Sequence, residues 1–292
     1  MPPQYEPIVD AKFELSDGRD LAYALWGDPY GEPVFLFHGA PGSRMFVPDP
    51  EITARAEVCL VTVDRPGYGG SDPDPGRSIL DWAADVRQLA DVIQMQRFAV
   101  VAHSSGGPYA LACAHELTDR VSAVALVSCV APYDEPTNYD DEDQALTRLA
   151  REEPKRAAPQ FAESIAFVVD DPEVFLTLPR PEPDVQLLSD ERIRRMFVRA
   201  VREGVSQGAE AYGWDCILER RPWGFALADI DRRVSIWQGE QDRALPPSQA
   251  YILKNKLPHA DFKLLPDDGH GLILARWAEI LLYLKANRHP GR

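Results

Sequence analysis

Phe98-Ala-Val-Val-Ala-His-Ser-Ser-Gly-Gly-Pro108 is the stretch on which the reading of this chain turns. Phe98 to Ala102 is a short apolar run rich in valine, which predicts a buried strand. From Ser105 to Glu116 apolar residues recur at helical spacing, and Pro108 falls in the first turn, where its missing N–H does no harm. Between strand and helix sits Ser104, with small neighbours at Ala102, Gly106 and Gly107. A strand that turns straight into a helix over such residues holds a serine in a strained, outward-pointing geometry. Larger side chains would collide across so tight a turn. An ordinary strand-to-helix loop with a capping serine fits the same residues. The motif alone leaves both readings standing.

Composition narrows the classes. With 292 residues, 45% hydrophobic and 26% charged, the chain has the length and balance of a soluble globular protein with a sizeable core. Its formal net charge of −15 argues against nucleic acid, which needs a basic face, and against an anionic membrane surface. Met1-Pro-Pro-Gln-Tyr-Glu-Pro7 has neither a basic nor an apolar leader region, and the longest nearly apolar run, Val121 to Pro132, is too short to span a bilayer. Cys59, Cys113, Cys129 and Cys216 show no CxxC pairing, so buried free thiols and a cytoplasmic location are expected.

Around the opening stretch, strands and helices alternate. Lys12–Leu15 and Leu21–Trp26 flank Asp17-Gly18, a hairpin signal, and Pro33–Phe37 and Val58–Val63 read as buried strands. Ser78 opens a helix to about Gln94, with Asp81 as a capping-box-like partner and Ile79, Trp82, Val86, Leu89 and Ile93 on one stripe. A strand follows from Val121 to Val130. This rhythm implies right-handed crossovers and a mostly parallel sheet. It stops at Ala131. From Pro132 to about Phe225 an acidic connector (Asp134, Glu135, Asp140–Asp143) leads into helical patterns, the clearest being Asp190–Glu203 with Gly204 as its stop. We read this block as a helical insertion. Strand patterns resume at Val234–Trp237 and Asp261–Leu265, with helices near Pro247–Leu257 and Leu272–Ala286, and a frayed Arg288–Arg292 tail. The expected division is 1–131 and 226–292 as core and 132–225 as insertion.

Two partners for Ser104 follow late strands: Asp242 in Trp237-Gln-Gly-Glu-Gln-Asp242, and His270 in Pro266-Asp-Asp-Gly-His-Gly271. Loops at strand ends of an open α/β sheet converge on one crevice. A serine hydroxyl is a poor nucleophile until a base takes its proton, and the imidazole needs a carboxylate to orient it. A tetrahedral intermediate further needs donors for its oxyanion, for which the amides of Ser105 and Ala40 are candidates.

Four motifs in order, His38-Gly-Ala-Pro-Gly-Ser43, Asp64-Arg-Pro-Gly-Tyr-Gly-Gly-Ser71, Ala102-His-Ser-Ser-Gly106, and Asp242 with Gly269-His270, make the chain resemble an α/β-hydrolase-fold enzyme with a helical cap over nearly its full length. The resemblance implies an eight-stranded, mostly parallel sheet flanked by helices, with the cap inserted after strand 6. It implies a Ser104–Asp242–His270 triad and an oxyanion hole from the amides of Ala40 and Ser105. Ala102 departs from the pattern, standing where glycine is usual. Ser104 argues against related dehalogenases and epoxide hydrolases, which carry Asp at the nucleophile position.

Other residues have competing roles. His38 is read chiefly as holding its loop by hydrogen bonds, and His103 as facing the pocket or packing. Glu240 is the fallback acid and Asp134 a second one, while Asp267 and Asp268 suit a turn. Trp214, Trp223 and Phe225 fit either a pocket wall or core packing. No metal pattern and no dinucleotide fingerprint is visible, so neither metal nor cofactor is expected. The expected activity is a cofactor-free serine hydrolase acting on a small acyl ester or lactone, as a monomer or homodimer. Three alternatives remain open: a peptidase resembling proline iminopeptidases, with Glu163, Glu210 or Glu219 meeting the substrate amine; a ligand-binding or signalling module that keeps the triad; and acyl transfer or perhydrolysis on the same triad.

Overall fold

The apolar runs become eight strands of one sheet in a computed structural model that describes residues 5–133 and 141–287. They are β1 (Val9–Glu14), β2 (Asp20–Gly27), β3 (Glu32–Phe37), β4 (Val58–Val63), β5 (Phe98–His103), β6 (Val121–Val127), β7 (Val234–Gly239) and β8 (Ala260–Leu265). Their spatial order is β1-β2-β4-β3-β5-β6-β7-β8. β2 runs against β1 and β4, and every other neighbouring pair is parallel.

Helices cover both faces, which is why the central strands are buried along most of their length and predominantly apolar. Early in the chain come α1 (Pro50–Arg55), α2 (Asp81–Val92) and α3 (Gly107–Glu116). Between β6 and β7 come α4 (Asp141–Glu152), α5 (Pro154–Glu163), α6 (Ala166–Asp170), α7 (Glu182–Ser189), α8 (Glu191–Gly204) and α9 (Glu210–Arg220). After β7 lie α10 (Pro247–Lys256), α11 (Leu272–Ala275) and α12 (Trp277–Ala286). Alternation along β3 and β5 sends Phe35, Phe37, Val100 and Ala102 into the core shared with α2, α3 and α10. Val34, Leu36, Ala99 and Val101 enter the opposite core with α12. The parallel register aligns Phe37 with Ala102 and Ala102 with Leu126, so the loops after β3, β5, β7 and β8 leave from one edge.

Several boundaries differ from the sequence reading. β6 ends at Val127 rather than Val130, because Ser128 takes a positive φ of 48° and leaves the sheet. The helix after Ser104 begins with a 3₁₀ turn, Ser104–Gly106. Ser78 and Asp81 do bond reciprocally, but α2 starts at Asp81 itself. Gly204 is the last residue of α8 rather than a stop beyond it, and its bare Cα lets the helix pack on Gly42, whose carbonyl a Cβ would strike. The last helix breaks at Arg276. Asp134, Glu135, Asp140 and the Arg288–Arg292 tail lie outside the described residues, as do the side chains of 141–143. All four cysteines are buried and free.

Candidate active site

The turn out of β5 carries Ser104 at φ 56°, a left-handed conformation that costs a side-chain-bearing residue on the order of 1–3 kcal/mol. Packing holds it there. A Cβ on Gly106 would strike the Phe37 carbonyl, and one on Gly107 would lie 2.7 Å from Cys129 Cβ. The elbow is therefore wedged between the end of β3 and the loop after β6. Ala102 is fully buried in β5 opposite Phe37 and Leu126, so the core houses its methyl group.

Loops after β7 and β8 bring the other two groups together. His270 Nδ1 lies 2.9 Å from Asp242 Oδ2. A carboxylate only accepts, so the proton is on Nδ1 and Nε2 is left as the basic nitrogen. Asp242 is held in turn: its Oδ1 accepts from the amides of Ala244 and Leu245 at 2.9 Å, and its Oδ2 also accepts from Gln238 at 3.2 Å. Burial pushes the Asp242 carboxyl up, but His270 and these donors outweigh it and hold it below the ordinary range. Burial likewise pushes the His270 imidazole down, and the Asp242 carboxylate overcomes this and lifts it above the ordinary histidine value.

Ser104, His270, Ala40 and Ser105 line one cavity of about 420 Å³, a volume suited to a small molecule. Its other walls include Phe161, Phe175, Leu187 and Phe197 from the segment between β6 and β7. His38 is 1% exposed and holds the Ala40 loop from behind, donating from Nδ1 to Gly39 O at 2.7 Å and accepting at Nε2 from Arg65 N at 3.4 Å. Burial and the Arg65 charge keep it neutral. His103 does line the cavity: it stacks on Phe46 and donates from Nε2 to the His270 carbonyl at 3.1 Å. Burial, with the His270 charge beside it, drives its pKa down to about 3.

Several remaining candidates lie away from the cavity. Glu240 is exposed and its amide pairs with Leu265 O, so it does not meet His270. Trp223 is 5% exposed in the core and donates to the Glu219 carbonyl, while Phe225 stacks on His115. Trp214 lines a separate groove with Glu163 and Glu210. None of these aromatics walls the cavity. Asp268, read as a turn residue, also pairs with Arg276 at 2.9 Å.

Three acidic side chains of the helices between β6 and β7 matter more than the sequence suggested. Asp215, on α9, is buried and accepts from Arg65, Arg77, Tyr68 and Tyr109 at 2.6–3.1 Å. Burial alone would raise its carboxyl, but the two arginines hold it low. Arg65 also donates to the His38 carbonyl, so this network ties α9 to the loop bearing Ala40. Glu219, one turn further along, is 5% exposed, lines the cavity and has one oxygen, Oε1, with no hydrogen-bond partner. Burial, with Asp215 nearby, lifts its carboxyl to about 7. Asp184, on α7, bonds the backbone of His270. Nothing in the sequence reading pointed to the first network. Nothing in the sequence marked Asp184.

Among the described residues no group of three or more His, Cys, Asp or Glu is placed to hold a metal ion, and no helix is long and apolar enough to cross a membrane.

Comparison with known proteins agrees with this fold. The chain is 28% identical over 266 residues to the dihydrolipoyllysine-residue acetyltransferase component of an acetoin cleaving system from Cupriavidus necator. The match covers 89% of this chain but only 64% of that relative. It is 24% identical over 303 residues to a proline iminopeptidase of Arabidopsis thaliana, covering 91% of this chain and 76% of that one. A bromoperoxidase structure from Bacillus anthracis superposes with a TM-score of 0.69 at 20% identity, over 95% of this chain and all of the other. The family model for the alpha/beta hydrolase fold matches residues 32–276, and with the sheet order and the elbow at Ser104 the chain belongs to that family.

Proposed function

We propose that this chain is a serine hydrolase of small carboxylic esters or lactones, working through an acyl-enzyme on Ser104. The observation that carries the reading is that Ser104, strained at φ 56°, and His270, backed by the buried Asp242, open onto the same cavity. Ser104 Oγ attacks the carbonyl carbon while its proton passes to His270 Nε2. The oxyanion accepts from the amides of Ala40 and Ser105. Collapse expels the alkoxide, which takes the proton from His270, and water repeats the sequence on the acyl-enzyme. The segment from α4 to α9 acts as a lid, and its apolar residues Phe161, Phe175, Leu187 and Phe197 favour a small apolar acyl group.

One observation favours a second reading, an aminopeptidase like the Arabidopsis relative. Of the three lid carboxylates the sequence offered, Glu163 and Glu210 are exposed and only Glu219 faces the cavity. Turnover of a nitrophenyl ester compared with a prolyl anilide separates the two. Preference for the ester, with Ser104 labelled by a fluorophosphonate, supports the first reading, and preference for the anilide overturns it.

A further inference from the structure

We propose that Asp184 is a positioning residue, which holds the His270–Gly271 backbone from helix α7 and so makes alignment of the His270 ring depend on the docking of that helix. The proposal rests on the reading of His270 as the base.

The contact is a two-point grip. Asp184 Oδ2 accepts from His270 N at 3.0 Å, and Oδ1 accepts from Gly271 N at 2.8 Å. The residue is 5% exposed, so the bonds form in a low-dielectric setting where a charged acceptor is about twice as strong as a neutral one. Two consecutive amides held by one carboxylate fix the position and direction of the His270 Cα–Cβ bond. The ring on that bond must keep Nδ1 on Asp242 and Nε2 toward Ser104.

The residues flanking His270 are shaped for this contact. A Cβ on Gly269 would lie 2.5 Å from Asp184 Oδ1, and one on Gly271 would lie 3.0 Å from Leu187 Cδ1 on the same helix. The Gly-His-Gly sequence thus admits α7 to the backbone on both sides of the histidine. Without the grip the loop relaxes, and a displacement of about 1 Å at a reacting group costs about a hundredfold in rate.

The charge also acts on the ring. The groups facing His270 are Asp242 from the loop after β7, Asp184 from α7, Arg180 from the segment before α7, and His103 from β5. Asp242 and Asp184 favour the imidazolium and Arg180 opposes it. Removing Asp184 therefore moves the His270 titration to lower pH. Because the base must be neutral, the acid limb of kcat/KM moves the same way.

The test uses the full chain with Asp184→Asn, Asp184→Ala, Gly269→Ala and the Gly269→Ala/Asp184→Ala double variant. Nitrophenyl butyrate kinetics across the acid limb are paired with NMR titration of His270. The expected result is a kcat about tenfold lower for Asp184→Asn and about a hundredfold lower for Asp184→Ala, with KM within about twofold. Both the acid limb and the His270 titration shift to lower pH. Gly269→Ala lowers kcat alone but adds nothing in the Asp184→Ala background, because the clash it creates is with that carboxylate. Asp184→Asn keeps the shape of the side chain and serves if Asp184→Ala does not fold. A variant that loses stability yet keeps kcat and the His270 titration makes Asp184 a structural staple and overturns the proposal. If the wild-type protein neither turns over esters nor takes a fluorophosphonate at Ser104, the reading of the site fails, while the NMR shift still reports on the grip.

Discussion

Ser104 Cβ stands 3.0 Å from where a Cβ on Gly39 would be, so the elbow after β5 and the loop after β3 touch with only a glycine hydrogen between them. The residue that would attack and the loop that would receive the oxyanion are one packed unit. Little reorganisation is then needed when charge develops.

Substitution at Ser104 separates chemistry from strain. Ser104→Ala and Ser104→Gly are both expected to remove nearly all ester turnover. They differ in stability, because glycine takes a positive φ without steric penalty and alanine does not. Ser104→Gly is expected to exceed Ser104→Ala by about 1 kcal/mol in denaturant unfolding. An equal or reversed order would mean the elbow is not strained.

The acid is the next test. Asp242→Asn should cost about 10³–10⁴ in kcat, since an amide favours the wrong histidine tautomer. Glu240→Gln, on the exposed side of the same loop, should stay within about twofold. Steady-state rates on one ester decide it, and the opposite ranking moves the acid to Glu240.

Acidity should set the lower limit of activity. His270 titrates above the ordinary value of 6.5 and must be neutral to accept a proton, so kcat/KM is expected to fall below a midpoint higher than 6.5. A pH–rate profile with its acid limb below that value would contradict the His270–Asp242 coupling.

Glu219 makes a prediction about stability. Its carboxyl binds a proton up to about 7 in the native state and up to about 4.5 in the unfolded chain. Between those values the native state holds more protons, so stability falls as pH rises through the window. His270 acts in the same direction, stabilising below its unfolded value and losing that contribution as pH rises through its native one. Glu219→Gln should remove most of the Glu219 share, on the order of 2 kcal/mol above neutrality. Thermal unfolding of both proteins on either side of pH 7 reads this, and parallel curves would refute it.

Asp215 should matter to the fold whatever the reaction. Asp215→Ala leaves Arg65 and Arg77 buried without their carboxylate, and an uncompensated buried charge costs about 3–5 kcal/mol. Urea unfolding measures the loss. A change below about 1 kcal/mol, the scale of an exposed pair, would show that the network is not what ties α9 to the core.

Much of this protein is local, and local features are legible in sequence. Mostly apolar runs marked β3 to β7, since strands covered on both faces favour apolar residues on both sides. Small residues around Ser104 marked the elbow, because the crowding that requires them arises within a few residues. Asp242 and His270 announced themselves by following late strands. Boundaries were less visible where a residue's role is set by distant packing, as at Gly204, a glycine inside the helix whose bare Cα packs against Gly42.

What the tertiary structure decided was which of several chemically equal side chains met the site. Asp242 and Glu240 are two residues apart with the same chemistry, and only the fold of the loop buries one against His270. Trp214 and Trp223 had the composition of a pocket wall, but a large aromatic goes where it buries most area, which is a property of the whole packing. Glu219 has the chemistry of Glu163 and Glu210, but it alone of the three is buried and lines the cavity. Asp184 reaches His270 across 86 residues of chain, a distance over which no sequence pattern carries information. Sequence by itself determined the sheet, the elbow and the order of Ser104, Asp242 and His270, because each follows from residues adjacent in the chain. The partners of those groups were left to the tertiary structure, since burial and approach between remote segments exist only once the chain is folded.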